Sequence, residues 1–325
     1  VSPAEKSGIV GFKPTRNVIS SEGLIHASKT LDTVGLLTRS VDDARSILRE
    51  ITQHSAHHTT ESKAKFLNQL SPKPFPNLKT IRIGIPSLTL FTNFHPAKTT
   101  AFTNALSALE EAGATIAKNV HIPGHETYTS LSPAQKSIIL DTDMKLAIEC
   151  YLSSLTTNPQ NIHTLQDLIT FTQNCAEEEY PPRNTAVLER ALLTSPSNSL
   201  YLDMLALDEY FSTGLGSIAN ALDNHACDVL IIPTLDPTLQ TLAAKAGSPV
   251  VSVPIGVFGA GTNVQVDPGN GMVDVGPGIP FSAYIFGRVD CDGDVLGVAQ
   301  VLEREMKVRD MLEPYLEAVT EVGDV

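Results

Sequence analysis

Three groups of residues have side chains and spacings that could support chemistry. His54, His57 and His58 are close enough in sequence to ligate a divalent metal. They stand in a polar stretch with no carboxylate–histidine framework and no dry surround, so a solvated loop is the better reading. Asp290, Asp292 and Asp294 resemble the opening of a calcium loop. Its glycine, Gly293, comes two places too early, and the twelfth position is Val301 where a bidentate glutamate is needed. Helix capping by one of these aspartates accounts for them better. Gly256, Gly259 and Gly261 in GVFGAGTN could cradle a phosphate, but their order is not GxGxxG and no helix follows. No GxSxG elbow, HExxH helix or P-loop occurs, and no serine declares an adjacent base.

The elements that would position a site are clearer. Ser40, with Asp43 three places on, opens an amphipathic helix over Val41–Thr52. The polar segment from Gln53 to Thr80, with Pro72, Pro74 and Pro76, reads as a long surface connection. A β-α-β unit follows: a strand at Ile81–Ile85, a helix from Pro96 to Gly113, and a strand over Ala114–Ile122. From about Ser130 to Asn224 the pattern is helical. Its strongest stripe is Leu200, Met204, Leu207, Phe211, Leu215, Ile218 and Leu222, with Gly214 and Gly216 as points of bending or close approach. Strands return at Asp228–Ile232, Val250–Val253 and Phe281–Phe286, with a hairpin across DPGNG between Gln265–Val266 and Met272–Val275. Val295, Val298, Leu302 and Met306 mark a closing helix. Short apolar strands alternating with helices predict an α/β fold, a mixed and mostly parallel sheet covered by helices on both faces.

Composition narrows the partners. With 23 basic against 36 acidic residues the net charge is −13, and no Lys/Arg block is present, which argues against nucleic acid. No apolar run approaches a membrane span. Cys150, Cys175, Cys227 and Cys291 form no CxxC pair, which fits buried reduced thiols and favours a cytoplasmic setting.

The stretch from Gly8 to Arg39 ties these elements together. Gly8, Gly11, Gly23, Gly35 and Pro14 punctuate hydrophobic pairs, the texture of a buried, winding segment packed near a site. GFKPT at Gly11–Thr15, GLIHAS at Gly23–Ser28, LDTVG at Leu31–Gly35 and TRSVDDA at Thr38–Ala44 resemble the amidase signature family, especially its fungal members. The resemblance continues in IRIGIP, EAGAT (Glu111–Thr115), DVLIIPT (Asp228–Thr234), AGSPVVSVPIG (Ala246–Gly256) and PGIPFSAYIFGR (Pro277–Arg288). One such motif is weak; the ordered series is specific.

The resemblance implies residues 1–325 of a partial amidase-signature domain, with a helical substrate-side region inserted at about 130–224. It implies hydrolysis of a small-molecule amide through a Ser–cis-Ser–Lys triad with backbone N–H groups holding the oxyanion, and no metal or cofactor. In that family the lysine and the Gly/Ser-rich run lie upstream of the matched region. The nucleophile lies a residue or two before an RxPA that Val1–Ser2–Pro3–Ala4 matches. The triad is therefore expected outside this chain, and no catalytic residue is assigned within it; Lys6 and Lys13 match no catalytic lysine. Gly11, Pro14, Thr15, Asp32, Thr33 and Gly35 are expected to support backbone shape around the site. Four residues depart from the family pattern: Val1 replaces an arginine, Asn17 a glycine that Asn can mimic in left-handed backbone, and His26 and Leu36 two prolines. The alternative is a truncated, non-enzymatic remnant that binds a ligand or partner, prone to self-association through uncovered surface.

Overall fold

Gly11 shows how the first elements pack. A short helix, α1 (Ser2–Lys6), lies over strand β1 (Val10–Lys13), and a Cβ at Gly11 would meet the Ala4 side chain at 2.6 Å and the Val1 backbone at 2.9 Å. Only a residue without a Cβ allows that approach. The computed structural model describes residues 1–54, 60–71, 77–87, 95–269 and 271–312.

β1 belongs to a seven-stranded sheet with β2 (Leu36–Thr38), β3 (Arg82–Pro86), β4 (Thr115–Val120), β5 (Val229–Ile232), β6 (Val250–Val257) and β9 (Pro280–Gly287), ordered β2-β1-β6-β9-β5-β3-β4. β2, β6, β5, β3 and β4 run one way and β1 and β9 the other. The sheet is thus mixed with most strands sharing one direction, as the alternating pattern predicts. Side chains alternate across it with strand period. Val251, Val253, Ile255, Phe281, Ala283, Ile285, Val229 and Ile231 join one core, while Val250, Tyr284, Phe286, Leu230 and Ile232 join the other.

Helices α2 (Val41–His54), α3 (Thr60–Gln69), α4 (Pro96–Glu111) and α12 (Asp292–Met306) cover the first face. The second carries α5 (Pro123–Ser130), α9 (Ser199–Ser212), α10 (Ile218–Asn224) and α11 (Pro237–Ala246). The β3–α4–β4 crossover pairs Ile83 with Ile116 in parallel, Pro96 opens α4, and Gly113 (φ 100°) follows its end. α6 (Pro133–Ser154), α7 (Leu165–Asn174) and α8 (Ala186–Leu192) build a helical lobe around two small clusters, one centred on Ile138, Ile139 and Met204, the other on Leu165, Ile169 and Ala191.

Several expectations change. The segment after Gln53 is not only a surface connection: α3 buries Phe66, and Leu70 and Leu78 follow it into the core, so sparse apolar residues suffice to dock it. His57, His58, Pro72, Pro74 and Pro76 lie outside the described residues, and nothing is described of the His54 side chain. The stripe from Leu200 to Leu222 is two helices, α9 and α10, and Leu215 between them is exposed. Gly216 does take a close neighbour: a Cβ at Gly124 would fall 2.0 Å from its carbonyl oxygen. The hairpin forms as β7 (Gln265–Val266) against β8 (Val273–Val275), with Asn270 of its turn outside the described residues. No aspartate caps α12. Its N-cap is Cys291, without a side-chain bond, and Asp292, one residue inside the helix, accepts from Thr15 instead. Of the four free cysteines only Cys227 is buried; Cys150 is exposed. The Gly8–Arg39 stretch is buried at Val10, Phe12 and Val18, but Leu24, Ile25 and Leu37 face solvent.

Candidate functional site

A groove of about 720 Å³ opens where α1, β1, β2, α5, α6 and α11 meet. Val1, Ser2 and Pro3 form one edge; Phe12 and Lys13 of β1, with Leu31, Thr33, Gly35, Leu36 and Leu37, form the next. Tyr128 of α5 and Lys136, Ile139 and Leu140 of α6 face them, and Gln240, Thr241, Ala244 and Lys245 of α11 close the wall. A second cavity of about 720 Å³ lies against α4 and α12, but no residue of the Gly8–Arg39 stretch lines it.

Local sequence explains each wall. The α11 helix starts at Asp236, whose carboxylate accepts from the Leu239 N–H at 2.7 Å and meets His125 Nε2 at 3.1 Å. The Asp236 carboxyl is held below its ordinary pKa because the His125 and backbone hydrogen bonds outweigh its burial, itself the largest single influence. Leu239, Leu242 and Ala243 bury one side of α11, which turns Gln240, Thr241 and Ala244 to the groove. The chain leaves α11 through Gly247 (φ 75°), whose carbonyl accepts from the Arg16 N–H at 2.9 Å. α6 starts at a reciprocal capping box between Ser132 and Gln135.

Beneath the groove, α1 is fixed by buried polar contacts. Ser252 Oγ donates to the Val1 carbonyl at 3.1 Å. The Tyr284 hydroxyl donates to Glu5 Oε2, and Lys98 Nζ reaches Glu5 Oε1 and Thr234 Oγ1 at 3.4 and 3.3 Å. Burial, and then the Glu5 charge, push the Tyr284 hydroxyl well above its usual pKa, so it stays a donor.

The predicted support residues divide into two sets. Thr33 and Gly35 line the groove, and a Cβ at Gly35 would lie 3.1 Å from the Phe12 carbonyl oxygen. Thr33 Oγ1 is buried without a hydrogen-bond partner among the described residues. Gly11, Pro14, Thr15 and Asp32 stand behind. Asp32 Oδ2 accepts from the Ala27 and Ser28 N–H groups at 2.8 and 3.1 Å, which folds the loop before β2. His26, at a family proline position, has Nδ1 3.4 Å from the same carboxylate. Thr15 gives both N–H and Oγ1–H to Asp292, at 2.8 and 2.5 Å, and its Oγ1 accepts from the Asp290 N–H at 2.9 Å. Pro14 is buried, and its carbonyl accepts from Lys13 Nζ at 3.2 Å. Asn17 takes φ 70°, the left-handed backbone expected of a glycine substitute.

Lys13 also donates to the Ser248 carbonyl at 2.6 Å. Desolvation lowers its pKa to about 8, although Asp292 partly opposes the shift. Burial raises the Asp292 carboxyl to about 6 against the Thr15 hydrogen bonds and the Lys13 charge. Lys6 instead pairs with Asp274, away from the groove. No serine in the groove is bonded to a lysine amine: Lys13 serves carbonyls, Lys136 donates to the Thr129 carbonyl at 2.9 Å, and Lys245 pairs with Asp208. Lys136, Lys245, Tyr128, Gln240 and Thr241 had no readable signal, since only tertiary folding gathers them; Lys13 stood inside a motif but matched no known role.

Residues 1–266 match the Amidase family. A protein of Arthroderma benhamiae that carries an amidase designation is 32% identical over 333 aligned positions, covering 100% of this chain and 55% of that protein. An amidase-designated protein of Arabidopsis thaliana is 26% identical over 266, with 80% and 49% covered. The chain thus spans about half the length of these relatives. Among solved structures, the peptide amidase of Stenotrophomonas maltophilia superposes with a TM-score of 0.71 at 22% identity, covering 94% of this chain and 60% of that one. An amidase family protein of Bacillus anthracis gives 0.69 at 20%, with 95% and 55% covered. The fold is that of these amidases, and the chain belongs to the amidase family.

Proposed function

We propose that this chain forms the substrate-side part of an amide hydrolase, and that its groove receives a small-molecule amide. The observation that carries the reading is the convergence of Val1–Pro3, the family-matching stretch and α11 on one groove. α6 contributes Lys136, Ile139 and Leu140 to the same wall, which supports a substrate-shaping role for the helical region at about 130–224 within one domain. Gly11, Pro14, Thr15, Asp32, Thr33 and Gly35 hold the backbone around the groove. They carry no proton or acyl group. The serine-based chemistry, with its lysine base and oxyanion donors, belongs to residues preceding Val1. A preorganised donor set there lowers the barrier by several kcal/mol. Among the described residues no helix is long and apolar enough to cross a membrane.

The test compares the purified 325-residue chain with the same chain extended upstream to the length of its relatives, each supplied with hexanamide and benzamide. Ammonia release by the extended protein alone is expected. Release by neither protein would overturn the amidase reading, and release by the 325-residue chain would overturn the assignment of the chemistry to preceding residues.

A further inference from the structure

The groove differs in charge from the rest of the molecule. The chain carries 36 acidic and 23 basic residues, yet among the described residues no Asp or Glu lines this groove, whereas Lys13, Lys136 and Lys245 do. The three lysines are not equivalent. Lys245 is neutralised by its ion pair with Asp208. Lys136 spends one proton on the Thr129 carbonyl and stands 5.6 Å from the centre of the Tyr128 ring, which leaves donors free at the rim. Lys13 is bonded only to the carbonyls of Pro14 and Ser248, so its cation has no carboxylate in hydrogen-bond contact. The rest of the lining combines apolar Phe12, Ile139 and Leu140 with polar Thr33, Gln240 and Thr241.

From this arrangement, and resting on the amidase reading above, we propose that the preferred substrates are amides with an apolar body that ends in a carboxylate, which Lys13 and Lys136 attract. A cleft with low-dielectric walls and charge of one sign concentrates ligands of the opposite sign and rejects those of its own. The carboxylate supplies Lys13 with the direct ionic partner that Asp292, which acts on it only at longer range, does not provide. Phe12, Ile139 and Leu140 bury the methylene chain and leave the scissile amide directed towards Val1–Pro3.

The test uses three ligands of one length on one protein sample: adipic acid monoamide (anionic), hexanamide (neutral) and 6-aminohexanamide (cationic). Their dissociation constants for the 325-residue chain are measured by ligand-observed NMR at pH 7. Binding in the order anionic, neutral, cationic is expected, with about tenfold between the first and the second, which corresponds to ~1.4 kcal/mol. Lys136→Glu, a change at a half-buried position on the groove rim, should erase most of that ratio. Lys13→Gln should act in the same direction. Equal or tighter binding of hexanamide, or a ratio unchanged by Lys136→Glu, would overturn the proposal. Because binding is read without turnover, the outcome separates from the amidase reading. Hydrolysis of hexanamide without anionic preference sinks this inference alone, and anionic binding with no hydrolysis by the extended protein sinks the other.

Discussion

The sheet and the helical lobe of α6 to α8 are held by different forces. At the sheet, β6 and β9 pair along most of their length and bury Phe281, Ile285, Tyr284 and Phe286 between helices on both faces. Among the described residues the lobe has two small apolar clusters; one packs Ile138 and Ile139 of α6 on Met204 of α9, and polar side chains add to this attachment. Asp143 Oδ2 accepts from Ser28 Oγ at 2.6 Å and Thr30 Oγ1 at 3.1 Å, and its Oδ1 accepts from Tyr201 at 3.1 Å. Asp141 receives a two-pronged bond from Arg190 at 2.6 and 2.8 Å. The groove lies at the seam, so one of its walls is anchored mainly by apolar burial and the other by a small apolar cluster together with hydrogen bonds. A wall of the second kind can vary its lining while the sheet stays unchanged.

The largest expected effect lies on the sheet side. Phe286→Ala should destabilise the protein by about 3–5 kcal/mol in urea denaturation, because it empties a fully buried site. Leu140→Ala, on the exposed face of α6, should cost less than about 1 kcal/mol. Comparable losses at the two positions would break the distinction between the regions.

Next comes Asp292, which ties β1 to α12. Its folded pKa of about 6 lies above the ordinary 3.8, so between those values the folded protein holds a proton that the unfolded chain has released. The resulting stability is fully present below pH about 4 and is lost as pH rises to about 6, roughly 3 kcal/mol in all. Denaturation at pH 4, 5 and 6 should show this decline in the wild type relative to Asp292→Asn. A parallel pair of curves would contradict it.

At the seam, Asp143→Ala strips the acceptor from Ser28, Thr30 and Tyr201 and should cost about 1–3 kcal/mol. It should also raise hydrogen exchange in residues 28–32 without affecting β6. The smallest effect belongs to Asn17, where Asn17→Ala should cost about 1 kcal/mol for left-handed backbone and Asn17→Gly almost nothing.

The same contrast explains what the sequence disclosed. Strands β5, β6 and β9 were legible because burial on both faces produces continuous apolar runs. The β3–α4–β4 unit carried its own Pro and Gly punctuation. By contrast, α3 docks through Phe66 with few other apolar residues, and its polar neighbours hid it. Asp292 looked like a helix cap because its partner, Thr15, lies 277 residues away. The groove followed the same rule. Thr33 and Gly35 stood in a recognisable motif, whereas Lys136, Tyr128 and Thr241 become neighbours only when α5, α6 and α11 pack.

Binding of the amide in this groove is open to direct measurement. Backbone NMR of the 325-residue chain titrated with hexanamide tests it most directly. Shifts concentrated at Lys13, Thr33, Gln240 and Thr241 are expected. Shifts centred instead on Thr100, Asn104 and Met306, in the cavity against α4 and α12, would contradict it.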